Sequence, residues 1–320
     1  MANWVYPLGS AAEGSWDISL GTADSTLAVD GWAHTGLKVA TLAAGLAVEL
    51  PAAAEERIVI PLSGSFTASV AGEEYRLAGR DSVFSGPSDV LYTGTGTAVT
   101  ISSADGGRVA VATAPAKASY PTRLITAAET PVELRGAGNC SRQVHNFGTP
   151  AALEADRFIV CEVLTPAGNW SSYPPHKHDE EKDGETSLEE IYYFETRVAP
   201  GAAAVPGAPD QPAAGTDAIG YQRVYASDER PIDVAAEVRT GDVVLVPYGW
   251  HGPAMAAPGY DLYYLNVMAG PGPVRGWLIS DDPHHGWIRQ TWAGQDVDPR
   301  LPFASQPTEG QPRTSQAASS

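Results

Sequence analysis

Apolar residues in this chain come in short runs instead of long amphipathic stretches. Val, Ile, Leu and Tyr alternate with polar residues over a few positions, and Gly (33) or Pro (26) then closes the run. This period-two pattern with frequent breakers predicts an all-β sandwich or barrel and no long helix. The predicted strands of the first half are Gly36–Leu42, Glu56–Leu62, Ser65–Val70, Glu74–Leu77, Asp81–Phe84, Ala98–Ser102 and Arg108–Thr113. Those of the second half are Arg157–Leu164, Leu188–Phe194, Gly220–Tyr225, Ile232–Val238, Val243–Val246 and Tyr260–Val267. Between the halves, Thr122–Ile125 and Glu133–Phe147 are candidate crossing strands. Tyr192-Tyr193 and Tyr263-Tyr264 each send one ring inward, as barrel wall or core.

The halves echo one another. Gly79-Arg-Asp-Ser-Val-Phe-Ser-Gly-Pro87 parallels Gly241-Asp-Val-Val-Leu-Val-Pro247, each a Gly/Asp turn feeding an apolar strand that ends near Pro. Glu55-Glu-Arg-Ile-Val-Ile parallels Glu189-Glu-Ile-Tyr-Tyr-Phe. The expectation is a duplicated barrel. Its parts are an N-terminal barrel over 1–117, a connecting segment over 118–149 and a C-terminal barrel over 150–303. A surface insertion is expected over 198–217 and a disordered polar tail over 304–320.

A length of 320 residues with 43% hydrophobic content supports two sizeable cores. No apolar run is long enough for a membrane span, and the N-terminus lacks the features of a signal peptide, so a cytoplasmic protein is expected. The net charge of −18 argues against nucleic acid and anionic membranes as partners. It leaves room for a small anionic substrate held by one well-placed cation, and for a homo-oligomer. Cys140 and Cys161 form no metal-binding pair and are expected as buried thiols.

Chemistry concentrates in the second half. In Ser171-Ser-Tyr-Pro-Pro-His176-Lys-His178 the two histidines alternate, so on a strand both imidazoles face one way. Glu190 opens a later apolar strand, and His251 closes the run Gly241-Asp-Val-Val-Leu-Val-Pro-Tyr-Gly-Trp-His. Together they make a candidate site of three histidines and one carboxylate for a divalent transition metal. The first half has only His34, so its barrel is expected to be metal-free.

This pattern on short strands resembles the cupin superfamily, with longer spacings: eleven residues separate His178 from Glu190. A narrower resemblance is carried by Gly168-Asn-Trp-Ser-Ser-Tyr-Pro-Pro-His-Lys-His-Asp, Leu188-Glu-Glu-Ile-Tyr-Tyr, Cys140-Ser-Arg-Gln-Val-His-Asn146 and Ile279-Ser-Asp-Asp-Pro-His-His-Gly-Trp-Ile288. These runs resemble the 5-deoxy-glucuronate isomerase family of myo-inositol catabolism, over nearly the whole chain. The resemblance implies a bicupin fold of two jelly-roll barrels. The implied activity is interconversion of 5-deoxy-D-glucuronate and 5-dehydro-2-deoxy-D-gluconate. It also implies kinship with uronate isomerases that carry a zinc site in the second barrel. His176, His178, His251 and Glu190 map to those ligands, with zinc as the first expectation and manganese or iron as alternatives. By the resemblance Glu190 is preferred over Glu189, because the usual cupin glutamate directly precedes the apolar strand and Glu189 would face the other way.

Aldose–ketose isomerisation needs a base, for which Glu189, Tyr192, Tyr193 and His145 are candidates. The carboxylate of a sugar acid needs a cation, for which Arg142 is preferred, followed by Lys177 and Arg223. Lys177 is expected to point out of the barrel, and His284-His285 to be structural or on the surface. Two other functions fit the same pattern: a cupin dioxygenase, and a sugar-binding bicupin without catalysis.

Overall fold

The computed structural model describes residues 3–202, 215–227 and 230–303. The tail expected over 304–320 and residues 203–214 of the expected insertion lie outside these. The fold is all-β, with two double-stranded β-helix barrels of the bicupin type. Among the described residues, helical structure is limited to three 3-10 segments. No helix there is long and apolar enough to cross a membrane.

A nine-stranded sheet forms the N-terminal half around one 16-residue strand, Glu55–Val70. This strand fuses the two segments expected as Glu56–Leu62 and Ser65–Val70. Its first part pairs with Gly107–Pro115, and its second with Glu73–Arg80 and Val99–Ser102, so it contributes to both walls of the barrel. The change of direction falls at Gly64, where φ is +87° and the register shifts. A Cβ on the facing Gly79 would sit 1.8 Å from the Gly64 carbonyl oxygen, so only glycine lets the two backbones approach this closely.

Two further sheets make the C-terminal barrel. The seven-stranded sheet runs, in spatial order, Val5–Tyr6, Val243–Val246, Glu189–Val198, Tyr260–Ala269, Ile159–Thr165, Arg142–Gly148 and Val132–Arg135. Opposite it, Asp233–Val238, Gly220–Tyr225, Trp250–Ala256, His176–Lys177 and Ser280–Asp281 lie side by side, with Trp170–Ser171 also paired to Trp250–Ala256. The first strand of the chain thus belongs to the sheet of the second half, and most of 132–148 lies in that sheet too.

The seven-stranded sheet is buried on both faces. One face, with Val144, Val163, Tyr192, Phe194 and Tyr264, fills the C-terminal barrel. The other, with Phe147, Val160, Leu164, Tyr193 and Tyr263, packs on Leu37, Ile58, Ile60 and Tyr92 of the N-terminal half. A separate cluster around Val48, Phe66, Leu77 and Ile101 fills the N-terminal barrel. Each tyrosine pair is therefore split, one ring to the barrel and one to the contact between halves, as period two requires.

Three further expectations change. Asp81–Phe84 is not a strand. The Ser82 side chain accepts from the Phe84 N–H and starts a 3-10 turn over Val83–Ser85, the local capping chemistry that competes with a ladder. Glu133–Phe147 is two strands, parted by the turn that holds Gly138–Cys140. His251 does not close the Val243–Val246 strand; it sits on Trp250–Ala256, in the opposite sheet.

The contact between the halves carries a buried ion pair. Arg80 reaches Glu162 through two hydrogen bonds of 2.7 Å, and Glu162 also accepts from the Tyr263 hydroxyl at 2.8 Å. Burial alone would raise the Glu162 carboxyl. The charge and hydrogen bonds of Arg80, with His145 beside it, instead hold it below the ordinary carboxylate range. Removing the cation leaves a charge stranded in the core. Arg80→Ala is expected to lower stability at neutral pH by about 3–5 kcal/mol in urea unfolding. A depressed carboxyl contributes stability above its ordinary pKa of about 4.3 and loses it on acidification, so the deficit should shrink at acid pH. A neutral-pH loss under about 1 kcal/mol, as for a surface pair, would show that the pair does not brace the halves.

Candidate metal centre and anion pocket

Three histidines converge inside the C-terminal barrel. His176 lies directly across from His251 in the register of their strands, with ring centroids 4.4 Å apart; His178 and His251 are separated by 4.6 Å. The candidate ligand nitrogens of all three lie within 4.8 Å of one another, and all three side chains are buried. The local backbone makes this approach possible at Gly252, where φ is +94° and a Cβ would lie 1.8 Å from the Ser172 carbonyl oxygen. Ser172 itself has φ +47°, an uncommon conformation for a residue with a side chain.

Each ring is oriented from behind. Nδ1 of His178 lies 3.1 Å from the Leu188 carbonyl, that of His251 3.2 Å from Gly249, and that of His176 3.4 Å from Pro174. A carbonyl can only accept, so these contacts place the proton on Nδ1 and turn the Nε2 lone pair inward. Glu190, on the facing sheet, brings Oε2 to 3.1 Å from Nε2 of both His178 and His251. His251 Nε2 has no hydrogen-bond partner despite that approach. Lone pairs of two imidazoles and a carboxylate thus face one another across a buried gap, and a divalent transition ion fits this donor set.

The electrostatics favour the ligand forms of His176 and Glu190. Burial, followed by the neighbouring imidazoles of His251 and His178, pushes His176 well below the ordinary histidine range, which keeps it a neutral ligand. His178 is lowered by burial but raised on balance by the hydrogen bond and charge of Glu190. Burial acts to raise Glu190, yet its contacts with His178 and His251 bring it down to about 2, so it is a carboxylate.

The cluster opens into a cavity of about 230 Å³ lined also by Arg135, Arg142, Arg289, Tyr192, Tyr264, Ser172 and Asn266. Arg142 is 6% exposed and donates to the Cys140 carbonyl at 3.0 Å; among the described residues it has no carboxylate partner. Burial, reinforced by Arg135 and Arg289 and partly opposed by Tyr264, lowers its pKa to about 10, still charged at neutral pH. Arg135 pairs with Glu133 and Arg289 with Asp281, at 2.8 and 2.7 Å. An unpaired buried guanidinium in a cavity is a site for an anion.

The remaining candidates separate cleanly. Tyr192 lines the cavity, its hydroxyl 3.0 Å from Ser172 Oγ. Glu189 faces the N-terminal half, where it accepts from the backbone N–H groups of Ala33, His34 and Thr35. Tyr193 donates to Glu195 on that same side, and His145 is enclosed between Glu162 and Gln143. Lys177 points away from the histidines. It is buried instead of solvated, bound to Asp179 and Glu185 at 2.7 and 2.8 Å. Arg223 is tied to Asp233 and the Val234 carbonyl outside the cavity. His284 and His285 are exposed; Cys161 is buried and Cys140 half-buried, both as free thiols. Sequence reasoning missed Arg135 and Arg289. Their signals were the hairpin partnership of Arg135 with Arg142 and the place of Arg289 directly after the motif ending at Ile288.

Comparison with known proteins identifies the family. The model of the KduI/IolB family matches residues 9–288. The 5-deoxy-glucuronate isomerase of Geobacillus kaustophilus is 41% identical over 264 residues, covering 82% of this chain and 88% of that protein. That of Bacillus subtilis is 38% identical over 258 residues, covering 80% and 88%. An IolB-like protein of Salmonella typhimurium superposes with a TM-score of 0.76 at 35% identity, covering 90% of this chain and 99% of that one. An oxalate decarboxylase of Bacillus subtilis shares the fold at 11% identity with a TM-score of 0.57, covering 88% and 80%. With the family's model spanning most of its length and named relatives at these identities, the chain is an isomerase and belongs to the KduI/IolB family.

Proposed function

We propose that this protein converts 5-deoxy-D-glucuronate to 5-dehydro-2-deoxy-D-gluconate in the catabolism of myo-inositol, as a metal-dependent cytoplasmic enzyme that assembles as a homo-oligomer. The observation that carries this reading is a single cavity with two unlike ends. One end is the cluster of His176, His178, His251 and Glu190; the other is Arg142, buried with no carboxylate to pair it. An open-chain sugar acid has the same polarity, with carbonyl and hydroxyl oxygens at one end and a carboxylate at the other.

In this reading the three imidazoles and Glu190 hold one divalent ion, zinc first and manganese or iron as alternatives. When bound, the ion supplies Lewis-acid stabilisation of negative charge on the carbonyl and neighbouring hydroxyl oxygens. The protein's own groups do the rest. Arg142 takes the carboxylate, with Arg135 and Arg289 adding positive potential. The Tyr192 hydroxyl, buried beside Ser172, is placed to donate a hydrogen bond to a substrate oxygen. Glu189, Tyr193 and His145 face away from the cavity and have structural roles. The N-terminal barrel is metal-free and serves as scaffold.

His176→Ala and His251→Ala should each lose bound metal and isomerase activity while the circular dichroism spectrum stays that of the parent. Retention of full metal content by both variants would sink the ligand assignment. Arg142→Ala removes charge-assisted hydrogen bonds of about 1.5–3 kcal/mol, so the KM for 5-deoxy-glucuronate should rise about 10- to 150-fold with metal content unchanged. Arg142→Lys should recover only part of this, because the two-pronged guanidinium contact is lost. A wild-type KM in Arg142→Ala would place the carboxylate elsewhere.

A further inference from the structure

The cavity floor is ordered by the seven-stranded sheet. From Arg142–Gly148 to Glu189–Val198 there are three strand intervals, about 14 Å in all. The two groups are also offset along the strands, since Gln143 is level with Glu195 through Leu164 and Tyr263, yet Arg142 and Glu190 both line the one cavity. Beside Arg142 the wall is apolar at two positions. Val144, two positions along from Arg142 and on the same face, pairs in register with Val163, which in turn pairs with Tyr264. Both valines are buried and line the cavity, 0% and 4% exposed. Neither can donate or accept. The Tyr192 and Tyr264 hydroxyls are drawn to Ser172, at 3.0 and 3.3 Å.

Consider an acid whose carboxylate sits on Arg142. Its next carbon then lies over Val144 and Val163. A methylene there meets surface of its own kind. A hydroxyl there loses its water and finds no partner on either valine.

Resting on the function proposed above, we propose that Val144 and Val163 read the missing hydroxyl of the substrate. They select an acid that is deoxy at the carbon beside the carboxylate over the fully hydroxylated uronate. The two valines are thus specificity-determining residues, distinct from the groups that bind the carboxylate or the metal.

The test is a ratio: kcat/KM for 5-deoxy-D-glucuronate divided by kcat/KM for D-glucuronate, measured on the metal-loaded enzyme. The wild type should favour the deoxy acid by about 10- to 100-fold, the range a hydrophobic pocket achieves against an added hydroxyl. Val163→Thr and Val144→Thr keep the shape and add a hydrogen-bonding group, and each should cut the ratio several-fold, chiefly by improving the uronate. Val163→Ala stays apolar and should keep the preference even if both rates fall. A wild-type ratio near one overturns the inference, as does an unchanged ratio in both Thr variants. A ratio lost equally in Val163→Ala and Val163→Thr would mean that packing is being read instead of polarity, and overturns it too. No activity of the wild type on 5-deoxy-D-glucuronate would instead sink the proposed function, so the two failures are told apart.

Discussion

Burial of one sheet on both its faces is the constraint on which the rest depends. A strand whose two faces are both covered has no solvent side, so each successive residue is committed either to the C-terminal barrel or to the contact between halves. Glu190, Tyr192 and Phe194 go one way; Glu189, Tyr193 and Glu195 go the other. Chemistry and scaffold are therefore written on the same strands at alternate positions. Shifting any of these strands by one residue would exchange the two sets entirely.

The same division sorts the charges. In a protein of net charge −18, three arginines gather around the cavity and a lysine is buried nearby. Most of these are neutralised nearby: Arg135 by Glu133, Arg289 by Asp281, Lys177 by Asp179 and Glu185. Arg142 is left over. Its guanidinium lies 5.3 Å from the Trp292 ring, so what it has in place of a counter-ion is an aromatic face and one carbonyl. Such contacts are weaker than a carboxylate partner would be.

Much of this was legible in the chain itself. The spacing of His176 and His178 puts both rings on one face, and their convergence with Glu190 and His251 follows once the strands are paired. That Glu189 and Glu190 face opposite ways follows from alternation, and preferring Glu190 took the cupin resemblance as well. Where reading failed, the reason is physical. The Pro247-Tyr-Gly-Trp turn and the Gly252-Pro253 step look like breakers, which hid the strand that carries His251. Asp81–Phe84 has a strand's composition, but the Ser82 hydroxyl gives its backbone a local alternative. Arg135 and Arg289 could not be ranked from sequence, since a surface arginine and a pocket arginine look alike until the hairpin and the C-terminal segment are folded over the barrel. Lys177 was expected to point out of the barrel because it alternates with the histidines; it does, but the acidic stretch after His178 curls back and buries it.

Glu189 has a consequence that reaches beyond its own contacts. Its carboxylate is held by three N–H groups of residues 33–35, which belong to the half that holds no candidate ligand. Adjacent to it stands the glutamate that faces the histidines. Two neighbouring side chains of the same kind are thus distinguished by what each is offered, one by imidazoles and one by a stretch of bare amide. The N-terminal half is a gauge against which this strand is set. A chain cut between its halves would keep every histidine of the cluster and lose the reference that decides which glutamate is presented to them.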